Sequence, residues 1–281
     1  QPEHYTRKMV RSMGRVALMA TRASELALSE AGLLDDPLLT SGKMGVAFGS
    51  SSGTPSAIQD FGLMMSKHST SGITANTYVK MMPHTAAANI EIFFGLCGRV
   101  ITTSSACTSG SQGIGFAYET IRQGKQVAMI AGGADELSAT QAAVFDTLYA
   151  TSTQNSKPTK TPKPFDLKRD GLVIGEGAAT LILEELEHAL ARGAKIIAEV
   201  VGFGTNSDGS HITQPNQSTM SEAMLLALSD QDTRIDEIGY VSAHGTATDR
   251  GDIAESHATI DVIGAKPISS LKSYTGHTLG A

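Results

Sequence analysis

The chain predicts an α/β fold in which parallel strands alternate with covering helices. Three observations lead there. Short apolar runs set between glycines recur along the sequence, and longer stretches with helical spacing separate them. The composition, 41% apolar with 29 glycines, 5% aromatics and no tryptophan, suits close-packed helices and strands better than an aromatic-rich binding surface. A length of 281 residues accommodates one large domain or two fused halves.

Each element follows from local signals. Residues 7–31 carry Val10, Met13, Val16, Ala17, Ala20, Ala23, Ala27 and Leu28 at helical spacing, with Gly32 as the stop, which predicts one long amphipathic helix. KMGVAFG at 43–49 reads as a buried strand. A helix is expected over 55–68, a polar loop over 69–75, and an apolar helix over 83–96 with Pro83 in its first turn. Cys97, at the end of that helix, is assigned to the core on burial statistics. Val100, Ile101 and the threonines after them favour a strand, and residues 117–123 favour a helix closed by Gly124. Gly110, Gly113 and Gly115 leave one helix face bare, so that another backbone can approach it. QVAMIA at 126–131 is the next strand and 138–148 the next helix.

The run TSTQNSKPTKTPKP at 151–164 breaks this alternation and reads as a surface loop, placing a boundary between an N-terminal half, 1–164, and a C-terminal half, 165–281. Beyond it, strands are expected at 177–183, 195–203, 238–243 and 268–270, with helices at 184–192, 218–228 and 252–263 between them. The second half thus repeats the style of the first.

Charge and cysteine usage narrow the function classes. The net charge is −6 with no long block of like charges, which argues against nucleic acid or an anionic membrane as the main partner. Neither a secretory signal nor a long apolar run is present, and two cysteines make no disulfide framework, so a soluble protein of a reducing compartment, the cytoplasm, is expected. Cys97 and Cys107 have no CxxC partner and no histidine at ligand spacing, which argues against a structural zinc site.

Four residues stand out as chemistry. GSSSG at 49–53 fits the G-x-S-x-G pattern of serine hydrolases and would make Ser51 a nucleophile, although so short a pattern arises easily in a Gly/Ser loop. Cys107 sits where a strand runs into a helix; the helix dipole and unpaired N–H groups there favour a thiolate. His244, in VSAHGT, follows a strand, and His277, in KSYTGHTLG, lies in a later loop. Ligands of α/β sheets bind beyond the carboxyl ends of strands, where all three residues are expected.

The runs SSACTSGSQGIG around Cys107, PFDLKRDGLVIGEGA at 164–178, HGTATDRGDIAE at 244–255 and KSYTGHTLGA at 272–281 resemble the β-ketoacyl-acyl carrier protein synthases, in family order. TYVKMMPH and GKQVAMIAGGADEL are more similar to the type I than the type II elongating synthases. The resemblance implies a thiolase-like five-layered α-β-α-β-α fold from two similar halves, acting as a homodimer. It implies that Cys107 accepts an acyl chain from acyl carrier protein, that malonyl-acyl carrier protein loses carbon dioxide, and that the resulting carbanion attacks the thioester, extending the chain by two carbons. His244 and His277 would stabilise the developing oxyanion, Lys272 would hold the polar network, Asp252 and Glu255 would support it, and the Cys107 amide would be one oxyanion donor. No cofactor or metal is implied. Members usually begin with a further strand and continue past the second histidine motif into a last strand, a helix and a glycine-rich loop, so terminal segments are expected to be lacking here.

Two rival readings share the fold. A thiolase would need a second acid/base cysteine downstream of the nucleophile, and none follows Cys107. A catalytically silent chain-length or dimer partner would commonly lose the nucleophile, which is present here. A polyketide-type ketosynthase also remains open.

Overall fold

The computed structural model describes residues 2–210, 214–231 and 233–281. In chain order the elements are α1 (Arg7–Val10), α2 (Arg15–Glu30), β1 (Met44–Gly49), α3 (Pro55–Lys67), α4 (Ala75–Met81), α5 (Thr85–Phe94), β2 (Val100–Thr103), α6 (Ser109–Arg122) and β3 (Ala128–Asp135). They continue with α7 (Ala139–Thr147), β4 (Gly177–Glu184), α8 (Leu186–Ala191), α9 (Gln217–Ser229), β5 (Val241–Ser242), α10 (Asp249–Val262), β6 (Ile268–Ser269) and α11 (Lys272–Thr275). Two compact units result: Gln1–Glu136 with Glu176–Ala198 and Thr278–Ala281, and Leu137–Gly175 with Glu199–His277.

The first unit is built on one sheet in the order β2-β1-β3-β4. β2, β1 and β3 run parallel, as the alternation of strands and helices predicts. β1 and β3 are buried on both faces, which is why each reads as an apolar or glycine run, broken only by Asp135 at the end of β3. One face carries Met44, Val46, Phe48 and Ile130 into a core shared with Val16, Ala20 and Leu28 of α2 and Ile90 of α5. The other face carries Ala47, Met129 and Ala131 against Ala117 of α6. The bare face of α6 is real: a Cβ on Gly113 would lie 2.8 Å from the Ala47 carbonyl oxygen and 3.0 Å from that of Gly132.

Several expectations need correction. The strand expected at 177–183 in the C-terminal half, β4, joins the sheet of the N-terminal strands and pairs antiparallel with β3 from Ala128↔Glu184 to Asp135↔Gly177. The single helix expected over 7–31 is broken at Gly14, where a Cβ would lie 2.1 Å from Thr54 Oγ1. Cys97 is exposed rather than core, because α5 ends at Phe94, Gly95 turns the chain with φ 67°, and Leu96 takes the buried position. α4, inside the stretch before Pro83, was not foreseen; Thr74 and Thr77 form a reciprocal capping box at its start.

In the second unit, β5 and β6 pair in parallel over only two residues each. No strand forms over 195–203: the segment joins no strand ladder among the described residues, the Phe203 N–H goes to Asp230 Oδ2 at 3.3 Å, and Ile197 is 81% exposed. Instead the chain runs close over α9, where Cβ atoms on Gly202 and Gly204 would each lie 2.2 Å from helix carbonyl oxygens. No helix among the described residues is long and apolar enough to cross a membrane.

Candidate active site

In the first unit, Cys107 lies on a single 3₁₀ turn, Ala106–Thr108, between β2 and α6. It therefore precedes the long helix rather than occupying its first turn, and Thr108 is the N-cap. Ala106 has φ 51°, a left-handed conformation that costs an alanine about 1–2 kcal/mol. Hydroxyl groups hold this turn in place. Ser109 Oγ donates to the Ala106 carbonyl at 2.8 Å and accepts the Ser105 N–H at 2.9 Å. Thr108 Oγ1 donates to the Ser105 carbonyl at 2.8 Å, and Thr103 Oγ1 donates to the Ser109 carbonyl at 2.8 Å. The serines and threonines of TTSSACTSGS thus brace a strained turn with a half-buried thiol at its centre.

Ser51, also in the first unit, has a different setting. Its N–H donates to Asp135 Oδ2 at 2.9 Å, and its buried hydroxyl has no hydrogen-bond partner among the described residues. With no imidazole hydrogen-bonded to Oγ, the hydrolase reading loses the base that such a nucleophile needs.

In the second unit, His244 follows β5 by two residues. The carboxylate of Glu255, on α10, accepts the N–H of His244 at 2.6 Å and of Gly245 at 2.8 Å. Ser270 Oγ donates to the Gly245 carbonyl at 2.8 Å. Gly245 has φ 38°, and a Cβ there would strike the Ser270 Cβ at 2.6 Å and the Phe165 ring at 2.9 Å, so the glycine of HGT is required by space and by backbone. His277 is held as rigidly. Its N–H donates to the Val173 carbonyl at 2.7 Å, and its carbonyl accepts the Gly175 N–H at 2.9 Å, while Gly276 turns with φ 70°.

The imidazole rings of His244 and His277 face each other edge to face, with centroids 5.2 Å apart. Burial lowers the His244 pKa to about 4, and the charge of Lys272 lowers it further. Burial lowers that of His277 to about 3, with His244 and Lys272 adding to the shift. His277 is 2% exposed, whereas His244 keeps accessible surface although protein atoms surround it closely. Both rings are neutral at pH 7, so each offers one N–H donor and one lone pair. Lys272 begins α11, five residues before His277, and is half-buried.

Asp252 is buried rather than an exposed helix charge. Its carboxylate accepts the N–H of Phe165 at 2.7 Å and of Ala247 at 3.1 Å, and Arg169 Nε lies 3.4 Å away. Burial raises its pKa, against the opposing pull of these amides and the guanidinium. Phe165 and Ala247 both have φ 65°, so one carboxylate pins two strained residues of the PFDLKRDG and HGTATD runs. Residue-by-residue reading missed Arg169 and Phe165, although both lie in a quoted motif. It also missed Phe145, on α7, whose ring centroid is 6.4 Å from that of His277.

Comparison with known proteins places these residues in a family context. The family model described as β-ketoacyl synthase, N-terminal domain, matches residues 3–189, and that for the C-terminal domain matches residues 197–281. A 3-oxoacyl-[acyl-carrier-protein] synthase 1 of Haemophilus influenzae is 40% identical over 285 residues, covering 99% of this chain and 69% of the relative. Among solved structures, a β-ketoacyl synthase from Burkholderia phymatum STM815 is 62% identical with a TM-score of 0.98, over all of this chain and 69% of that one. A type II polyketide ketosynthase bound to a hexaketide, in complex with its acyl-carrier protein, is 30% identical with a TM-score of 0.85, over 95% of this chain and 68% of that one. The fold is thus α/β of the thiolase-like ketosynthase type.

Proposed function

We propose, because this chain belongs to the β-ketoacyl synthase family, that it catalyses the decarboxylative condensation of an acyl group with malonyl-acyl carrier protein in fatty acid biosynthesis. The observation that carries this reading is the pair of neutral imidazoles, His244 and His277, set edge to face with Lys272 nearby.

The roles follow from the chemistry each group can perform. The Cys107 sulfur attacks the acyl thioester of the carrier protein, a new C–S bond forms, and the carrier thiol leaves with a proton. In malonyl-carrier protein the bond to the carboxylate breaks, carbon dioxide departs, and the electron pair becomes an enolate. Two imidazole N–H donors stabilise charge developing on the thioester oxygen, and neutral rings suit this because they enter the step already oriented and require no proton gain. The enolate carbon then attacks the Cys107 thioester and the sulfur leaves as thiolate, giving a 3-oxoacyl product two carbons longer. Burial keeps the rings neutral, and the charge of Lys272 adds to it. Glu255 fixes the backbone of His244, and Asp252 fixes the loops of Phe165 and Ala247. The amide of Cys107 serves as one oxyanion donor.

Acyl carrier protein is the partner this chemistry requires, and a reduced thiol nucleophile suits the cytoplasm. A homodimer is proposed as well: β2 is the edge strand of its sheet, with Val100 37% exposed. The likeness to a polyketide ketosynthase keeps a polyketide pathway as the second reading, decided by the acyl chains the enzyme accepts.

Mass spectrometry after incubation with acyl-carrier protein tests the nucleophile. The acyl group is expected on Cys107; label on another residue refutes the assignment. His244→Ala and His277→Ala are expected to spare acyl transfer and abolish malonyl decarboxylation. Loss of acyl transfer with decarboxylation retained would reverse the roles.

A further inference from the structure

Asp135 closes β3 and has no exposed surface. Its Oδ1 accepts the hydroxyl hydrogen of Ser50 at 2.8 Å, and its Oδ2 accepts the N–H of Ser51 at 2.9 Å and the N–H of Gly280 at 2.7 Å. Ser50 Oγ in turn accepts the Gly53 N–H at 3.1 Å. Donors from two loops distant in sequence therefore converge on one buried carboxylate. A carboxylate is the side chain that offers two acceptor atoms and no donor at this length.

What Asp135 holds lies against the start of α6. A Cβ on Gly110 would be 2.9 Å from the Gly280 carbonyl oxygen, and one on Gly280 would be 3.1 Å from the Ser109 Cβ and 2.7 Å from Asp135 Oδ2. Ser109 is the residue whose hydroxyl bonds to Ala106 and Ser105 brace the turn of Cys107. The path from carboxylate to thiol thus runs through the Gly280 backbone, the first residues of α6 and the bracing hydroxyl, all in one compact unit.

We propose that Asp135 is a positioning residue for acylation of Cys107, fixing the Gly280 backbone on which the start of α6 is seated; this rests on the reading of Cys107 as acyl acceptor. The condensation chemistry assigns Asp135 no part, and it touches no reacting atom. Substitution should slow the acyl-transfer step without weakening binding of the carrier protein.

The test is single-turnover acylation of the protein by a series of saturated acyl thioesters of acyl carrier protein. Asp135→Asn turns one acceptor into a donor, and Gly280→Ala drives a methyl group into the same contact from the other side. Each is expected to lower the first-order acylation constant about tenfold with KM unchanged, and the double variant to lose little more than either alone. Wild-type rates in folded variants, a rise in KM alone, or additive losses would overturn the proposal. Should Asp135→Asn not fold, Gly280→Ala decides by the same split between rate constant and KM. A wild-type protein that takes no acyl group on Cys107 would overturn the nucleophile assignment itself, an outcome distinct from normal acylation of the variants.

Discussion

Gly113→Ala sets two opposing effects of known size against each other. In a helix interior, alanine is favoured over glycine by about 0.8–1.0 kcal/mol. The new methyl group, however, would lie 2.8 Å from the Ala47 carbonyl oxygen and 3.0 Å from that of Gly132, both backbone atoms of buried strands. Neither can swing aside, so α6 must lift from the sheet, and overpacking of this kind costs typically 1–3 kcal/mol. Over most of that range the clash wins, and net destabilisation of about 0–2 kcal/mol, centred near 1, is expected, lowering Tm by up to roughly 8 °C. Gly62→Ala is the control, since Gly62 lies inside α3 with nothing within 4 Å of its added Cβ; it should stabilise by about 0.5–1 kcal/mol. Urea denaturation followed by far-ultraviolet circular dichroism reads both. Stabilisation by Gly113→Ala, or shifts of the same sign in the two variants, would refute the argument that close backbone approach dictates glycine at this position.

The remaining predictions concern buried charge and an exposed thiol. His277 has its pKa lowered to about 3, so as pH falls the unfolded chain takes up a proton near pH 6.5 while the folded chain does not. Stability should therefore fall with pH, by about 2 kcal/mol between pH 7.5 and pH 5 from this residue. His277→Asn should reduce that fall by a similar amount, and an unchanged pH slope would contradict the burial of a neutral ring. Asp252→Ala leaves the amides of Phe165 and Ala247 and the Arg169 guanidinium without their acceptor and should cost about 3–5 kcal/mol in thermal or chemical unfolding; a loss below about 1 kcal/mol would show that these groups find other partners. Cys97→Ser should change stability by less than about 0.5 kcal/mol, because the thiol is exposed and makes one weak contact to the Gly95 carbonyl.

The parallel core of the first unit was legible because β1 and β3 are buried on both faces and therefore read as apolar or glycine runs. The glycine face of α6 was equally visible, since three glycines within six residues serve little purpose except close approach. The direction of β4 was not. GAATLIL announces a strand but carries nothing about which neighbour it meets or which way it runs. The strand expected over 195–203 failed for the converse reason: propensity is local, whereas a strand needs a partner. The close approach of Thr54, some forty residues away in sequence, requires glycine at position 14, and no periodicity in 7–31 reveals it. At the site, the loop positions of the histidines followed from strand and glycine patterns. The burial of Asp252 did not, because a carboxylate in a helix reads as surface until the amides of Phe165 and Ala247 are seen to converge on it. Asp135 was hidden in the same way, its partners Ser50, Ser51 and Gly280 lying far from it and from one another in sequence.

The antiparallel pairing of β3 with β4 also dictates an order of events during synthesis. Asp135 pairs with Gly177, so the chain leaves the sheet at one point and re-enters it beside that point. Until Glu184 has emerged, one edge of β3 stays open, with apolar residues such as Ile130 lacking their cross-strand neighbour Ile182. The excursion between these strands must be made before the first sheet can close, and closing a loop of that length carries an entropic cost that depends only weakly on its exact number of residues. Nascent chains halted before β4 should therefore be the aggregation-prone species.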